Sequence, residues 1–161
     1  MRRLGRYDVE HFQRYRQRTE RFFLVPKADG EREHDLRPNE IVTDLLLPPA
    51  SEVHAAHYEI RQKQAFDWPL AVAAVTLKMR GTSVQSARVV MGYVAPVPWP
   101  SAEAEQILAG QPVTEDTAQQ AASAALSGAK PLSQNSYKVQ LARVAVKRAI
   151  LKAASASGGA A

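Results

Sequence analysis

Between residues 61 and 99 the chain carries two apolar runs separated by a short polar break. Residues 70–77 are interrupted only by Thr76, and residues 87–94 follow after Arg80-Gly81-Thr82-Ser83. Two β-competent runs across a short glycine-containing turn predict a hairpin. The first run lacks alternation, which predicts a strand covered on both faces. In the second, Ala87, Val89, Met91 and Tyr93 alternate with Arg88, Val90, Gly92 and Val94, which leaves one face less buried. Upstream, residues 41–47 read as a strand stopped by Pro48-Pro49. Residues 55–63 read as another, with His57, Glu59 and Arg61 on one face and Tyr58 and Ile60 on the other. Short links make these strands antiparallel.

After Val94-Ala95-Pro96-Val97-Pro98-Trp99-Pro100, read as a stiff extended connector, the pattern becomes helical. Ser101 is placed to cap a helix through Ala109, with Gly110 as its stop. Thr114 is placed to cap a second, alanine-rich helix ending near Gly128, and Pro131 separates it from a third over residues 135–154. On that last helix Tyr137, Leu141, Val144 and Leu151 form one apolar stripe. Val139, Ala142, Val146, Ala149 and Ile150 form another, nearly opposite. A helix apolar on two sides is wedged between layers or shared with a partner. The fold expected is α+β: a three- to four-stranded antiparallel sheet packed with a bundle of about three helices.

Composition narrows the chemistry more than it names it. A chain of 161 residues is long enough for one domain with a real core. It has no cysteine, which excludes disulfides, thiolate metal sites, iron–sulfur ligation and cysteine nucleophiles for this chain. Residues 1–21 hold seven arginines against three acids, so most of the net charge of +5 sits there. Tyr7, Phe12 and Tyr15 between the arginines would suit RNA. No nucleic-acid module follows, so the segment is read as a basic, poorly ordered leader and nucleic acid is not an expected partner. Residues 22–155 then form the domain and 156–161 a disordered tail. No apolar run is long enough to cross a bilayer and the start is not signal-like, so the cytoplasm is expected.

Four histidines are present, and His54 and His57 lie three apart without helical ligand spacing or a third ligand, so no metal site is predicted. G-x-S-x-G, P-loop and G-x-G-x-x-G patterns are all missing. No catalytic residue is predicted. Arg61, Lys63 and Asp67 around Phe66 and Trp68 read either as a polar, aromatic ligand surface or as an exposed strand end. Trp68-Pro69 and Trp99-Pro100 read equally as closures of the core.

Several short strings share an order with a known family. They are Phe22-Phe23-Leu24-Val25-Pro26; Leu36-Arg37-Pro38-Asn39-Glu40-Ile41-Val42-Thr43 with Leu47-Pro48; and Phe66-Asp67-Trp68-Pro69-Leu70-Ala71-Val72. Gly92-Tyr93-Val94-Ala95-Pro96, then Ala104-Glu105 with Leu108-Ala109-Gly110, and Asn135-Ser136-Tyr137-Lys138-Val139 with Leu141-Ala142 complete the series. Over residues 22–152 this resembles the C-terminal domain of the FAD-binding medium subunit of molybdenum hydroxylases, the carbon monoxide dehydrogenase and xanthine dehydrogenase group. The resemblance implies a domain that leans over the flavin ring and packs on partner subunits, while an N-terminal domain with glycine-rich loops holds the rest of FAD. It implies electron flow from a molybdenum centre through iron–sulfur clusters to FAD.

This chain differs from that pattern in two places. Residues 1–21 are too short for the FAD domain, so the cofactor is expected to be shared with a missing domain and not held tightly by this chain alone. Where many members carry Tyr-x-Lys, this chain has His57-Tyr58-Glu59. By position, the resemblance assigns the ring-facing edge to Thr43, Tyr58, Glu59 and Asp67, with Trp68 nearby. The function expected is the flavin-covering part of a molybdenum-hydroxylase-type oxidoreductase, not catalytic alone. Its partners would be a molybdenum-binding large subunit and an iron–sulfur small subunit, or a separate FAD domain. The alternative is an interaction module that keeps the fold without binding FAD.

Overall fold

The computed structural model describes residues 19–47, 49, 53–63 and 67–156. The leader up to residue 18, Pro48, Phe66 and the tail from residue 157 lie outside them, and so do the readings made there. The chain divides into two compact units, one ending at Ile41 and one beginning at Val42.

In the first unit, α1 (Thr19–Phe22) is a single turn. A loop then folds back on it: Leu24 N–H donates to the Glu33 carbonyl at 3.0 Å and Asp35 N–H to that of Phe22 at 2.9 Å. The Phe22 ring meets Phe23 edge-on at 5.1 Å and stacks on His34 at 6.0 Å. The turn expected around Pro38 forms, with the Glu40 carboxylate accepting from Arg37 N–H at 2.8 Å.

The second unit is an antiparallel meander, β1 (Val53–Ile60), β2 (Ala71–Arg80), β3 (Ser83–Gly92) and β4 (Trp99–Pro100), in that spatial order. Three helices follow: α2 (Ala102–Leu108), α3 (Glu115–Ala125) and α4 (Tyr137–Ser155). This is the α+β architecture that the sequence pattern predicts. Gly81, at φ +59, takes the first central position of the two-residue β2–β3 turn, where a type II′ turn needs a positive φ. Ser101 and Thr114 cap α2 and α3 as expected, the latter in a reciprocal capping box with Thr117. Ser136 makes no side-chain cap on α4; Asn135 Oδ1 instead accepts from Leu132 N–H at 2.7 Å.

All three helices lie on one face of the sheet, α4 across β1 and β2, α2 against β3, and α3 against both α2 and α4. Half of the buried cluster is alanine: Ala73, Ala104, Ala118, Ala121, Ala122, Ala145, Ala149 and Ala153. Small side chains let backbones approach closely, so the layer is thin and leaves little slack for a larger residue. Glu105 joins α2 to the sheet, its carboxylate accepting from Val89 N–H at 3.1 Å and lying 3.4 Å from Arg88.

The structure corrects four expectations. Residues 41–47 form no strand; Ile41, Val42, Leu45, Leu46 and Leu47 are 51–85% exposed. An apolar run becomes a strand only where a second strand meets its backbone groups, and none of the described residues does so here. The fourth strand is β4, whose Pro100 sits at the sheet edge, where its missing N–H costs no ladder bond. Second, β2 is covered on one face only: Ala71, Ala73, Val75 and Leu77 are buried while Ala74, Thr76 and Lys78 are exposed. Alanine and threonine tolerate both environments, so the missing alternation did not mark two-sided burial. Third, the proline-rich stretch does not run on as a rod. It bends from Tyr93 to Val97 and returns beside β3, with Tyr93 at φ 61. Fourth, neither tryptophan closes the core, Trp68 being 78% and Trp99 50% exposed.

On α4 the stripe containing Ala142, Val146, Ala149 and Ile150 is buried, joined by Ala145 and Ala153. It packs on the sheet and on α3, whereas Tyr137 is exposed and Leu141, Val144 and Leu151 are half-buried. Among the described residues no helix is long and apolar enough to cross a membrane.

Two stability effects are expected. Glu105→Ala leaves the Val89 N–H without its acceptor and should lower the unfolding free energy in urea by about 1–2 kcal/mol. Glu105→Gln keeps an oxygen for that bond and should lose less; equal losses would mean that the pairing with Arg88 dominates. Ala149→Leu forces extra volume between α4 and the sheet and should cost about 1–3 kcal/mol in the same measurement.

Candidate functional site

The candidate residues gather around the C-terminal half of β1 and the chain that returns to start β2. Strand alternation sends Tyr58 and Ile60 toward the helices, where both pack on the core cluster. Arg148 of α4 reaches over the Tyr58 ring, its guanidinium carbon 5.2 Å from the centroid, and donates a hydrogen bond to the Tyr58 hydroxyl. A cation over the ring and a bond at its rim fix that side chain twice. Lys152, one turn further along α4, donates to the His57 carbonyl at 3.5 Å.

Glu59 takes the other side of the strand. It is ion-paired with Arg61 and lies 4.0 Å from His57 Nε2. Tyr58 and Glu59, neighbours in sequence, thus stand on opposite faces of the sheet. The open face has low relief, built by cross-strand rows Glu59–Val72–Gly92, His57–Ala74–Val90 and Ala55–Thr76–Arg88. A shallow depression of about 340 Å³ lies over Ala55, His57, Ala74, Thr76, Arg88 and Val90. Its lining is mostly apolar, with His57 and Arg88 as the ionisable side chains.

At the end of the sheet Leu70 N–H bonds the Ile60 carbonyl at 2.7 Å and starts β2 beside the end of β1. Asp67 is half-buried there and Trp68 exposed. The Trp68 ring lies 6.1 Å from that of Tyr93, tilted by 52°. Lys138 Nζ donates to the Tyr93 carbonyl at 3.0 Å and ties this bend to the first turn of α4. Three of the strings read from the sequence, around Asp67, Gly92 and Lys138, therefore meet at one place. Thr43 lies apart on the exposed stretch before β1; its hydroxyl donates to the neighbouring Asp44 carboxylate at 2.7 Å.

Tyr93, Lys138 and Arg148 are the residues that sequence reasoning did not assign. Arg148 and Tyr58 are 90 positions apart, and nothing local in either segment links them. Tyr93 reads as one more residue of the β3 alternation, although the prolines three and five residues later mark a point where a strand has to end. Among the described residues, no three histidine, aspartate or glutamate side chains gather as a metal site would need.

Residues 56–153 match the family of CO dehydrogenase flavoprotein C-terminal domains. The carbon monoxide dehydrogenase medium chain of Hydrogenophaga pseudoflava is 28% identical over 119 residues, 71% of this chain and 42% of that one. The medium chain of Afipia carboxidovorans is 27% identical over 122 residues, 73% and 42% of the two. In three dimensions, quinoline 2-oxidoreductase from Pseudomonas putida 86 superposes with a TM-score of 0.60 at 31% identity, over 63% of this chain and 37% of that one. Reconstituted CO dehydrogenase from Oligotropha carboxidovorans gives 0.61 at 27%, over 69% and 40%. The chain thus spans 42% of the length of the curated relatives it matches. With most of its described sheet and helices inside the matched segment, this chain belongs to the CO dehydrogenase flavoprotein C-terminal domain family, the C-terminal domain of the FAD subunit of molybdenum hydroxylases.

Proposed function

We propose that this chain covers the flavin of a molybdenum-hydroxylase-type oxidoreductase and docks the subunits around it, with the rest of FAD held by a glycine-looped FAD-binding portion. The observation that carries the reading is the exposed run Val42, Leu45, Leu46 and Leu47 in a β-competent segment that pairs with no strand among the described residues. Apolar side chains in that density are covered in a working assembly. The relatives it matches carry further chain, since the aligned segment is 42% of their length, and that chain is the kind of surface that would cover them.

The residues suit the ring of FAD and not its phosphates. Among the described residues, the glycines with positive φ are Gly30, Gly81 and Gly110, each at a separate turn, so no glycine-rich cradle forms. Thr43, Tyr58, Glu59, Asp67 and Trp68 are the ring-facing candidates. Bound FAD would supply the redox chemistry. Tyr58 faces the helices, where Arg148 holds its hydroxyl, so its part is to fix the strand that carries Glu59. Glu59 presents a carboxylate whose charge Arg61 balances, so the face beside the ring gains little net negative charge. The outer stripe of α4, Tyr137, Leu141 and Val144, is the surface proposed for a molybdenum-binding large subunit or an iron–sulfur small subunit.

Purification of the chain from its own cells under mild conditions tests the reading, with flavin, molybdenum and iron measured in the eluted complex. The expected result is flavin and molybdenum near equal stoichiometry with the chain and several irons per chain, as iron–sulfur clusters require. A double variant, Leu45→Asp with Leu46→Asp, should retain less than about a tenth of that flavin and metal while staying folded. A folded chain that elutes without flavin, molybdenum or iron would leave the interaction module as the reading to keep.

A further inference from the structure

We propose that residues 42–47 close onto the free edge of β1 as a fifth, antiparallel strand of the sheet; the proposal concerns this chain alone and goes beyond the flavoprotein reading. β1 lies at the edge of the sheet, eight residues long, paired with β2 without a register break and free of proline, glycine and lysine. Folded proteins blunt or cover such edges. The opposite edge is blunted, since β4 has two residues and one of them is Pro100. Val42, Leu45, Leu46 and Leu47 are the complementary orphan, an exposed β-competent run that pairs with no strand among the described residues. Five residues separate Leu47 from Val53, a length that hairpin loops commonly take, and Pro48-Pro49 open that link where a strand has to stop.

The register follows from the backbone. The Ile60 carbonyl accepts from Leu70 N–H, while the His57 carbonyl accepts from Lys152 Nζ at 3.5 Å. Ile60 therefore turns its backbone groups toward β2, and Ala55 and His57, by alternation, turn theirs toward the free edge. A hairpin with residues 48–52 as its loop pairs Leu47 with Val53, Leu45 with Ala55 and Thr43 with His57, and so meets those outward groups. It sets Leu46 opposite His54, Asp44 opposite Ala56 and Val42 opposite Tyr58, all three on the helix side. The side chains agree with that register. Arg148 and Lys152 of α4 reach β1 at Tyr58 and His57, and Asp44, the one charged residue of the run, arrives between them. On closing, Thr43 N–H takes the His57 carbonyl and frees Lys152 to turn to the Asp44 carboxylate. Thr43 falls on the open face in the row of His57, Ala74 and Val90, and Leu45 in the row of Ala55, Thr76 and Arg88. The two polar residues that interrupt the apolar run thus each gain a place. A slip of one residue would send Asp44 to the open face and Leu45 to the cations of α4.

The chain has no cysteine, so a pair of introduced thiols can bond only with each other. Leu46→Cys with His54→Cys sets them directly opposite, whereas Leu45→Cys with His54→Cys sets them on opposite faces of the sheet. Under mild oxidation of the purified full chain, the first pair is expected to close within a monomer about tenfold faster than the second or more. Adding Asp44→Lys to the first pair should slow its closure about threefold, since the charge that meets α4 is reversed. Equal rates for the two pairs, closure indifferent to Asp44→Lys, or a bond formed only between copies overturns the strap; the last outcome would mean strand exchange between two chains. Hydrogen exchange reads the same pairing without touching β1. The amides of Ala55 and His57 are expected to exchange about tenfold slower in the unaltered chain than in Leu45→Pro, which removes a donor to that edge. Equal exchange in the two chains would overturn the pairing even if the cysteine variants failed to fold.

Discussion

Everything in the second unit depends on burying one face of the β1–β3 meander under helices whose inner faces are alanine. Ala145, Ala149 and Ala153 of α4 share a buried cluster with Ala73, Val75 and Leu77 of the sheet, and Ala118, Ala121 and Ala122 bring α3 into the same cluster against α2 and α4. Small side chains bury little area each, so the stabilisation comes from close, continuous packing over long elements and not from a few large anchors. That explains why backbone satisfaction matters so much here. The buried Ser101 cap, the capping box at Thr114 and the Glu105 carboxylate on Val89 hold short helices in the register that close approach needs.

One-sided burial has a functional consequence. Because the helices occupy only one face, the other is left as a surface of Ala55, Ala74, Thr76, Val90 and Gly92, with Glu59, Lys78 and Arg88 as its charged side chains. Tyr58 differs because alternation turns it inward, where Arg148 fixes it. Its influence on anything at the open face would pass through the position of β1 and not through direct touch. The two β1 candidates therefore divide into one that can face a ligand and one that holds the strand.

Much of this was legible in residue order. The caps at Ser101 and Thr114, the glycine stop at Gly110 and the glycine at the β2–β3 turn are local signals, and local signals were enough. The apolar stripe on α4 was legible for the same reason, since its period is set by the helix itself. Residues 41–47 were misread because an apolar β-branched run looks the same whether its partner strand is present or not. Pairing is a tertiary fact and leaves no mark on the segment. The two-sided burial of β2 failed for a related reason: alanine is silent about which side is wet. The left-handed Tyr93 was hidden because a φ angle is not written in a residue that elsewhere favours strands.

The strings that carry the family resemblance behave, in the structure, mostly as parts of the frame. Ala104 and Leu108 are buried, Glu105 ties α2 to β3, Gly110 turns with φ +76, and Asn135 closes the turn before α4. Residues kept for such reasons identify a fold without saying what it touches. Information about the ligand has to come from positions that the frame does not need. Trp68 and Tyr93 fit that description, since the core gains little from either and the backbone is strained at one. Lys138 connects the two kinds of residue: it starts the last helix of the frame and holds the carbonyl of the strained tyrosine. A bend tied to a helix terminus in this way is held to the alanine-packed layer behind it.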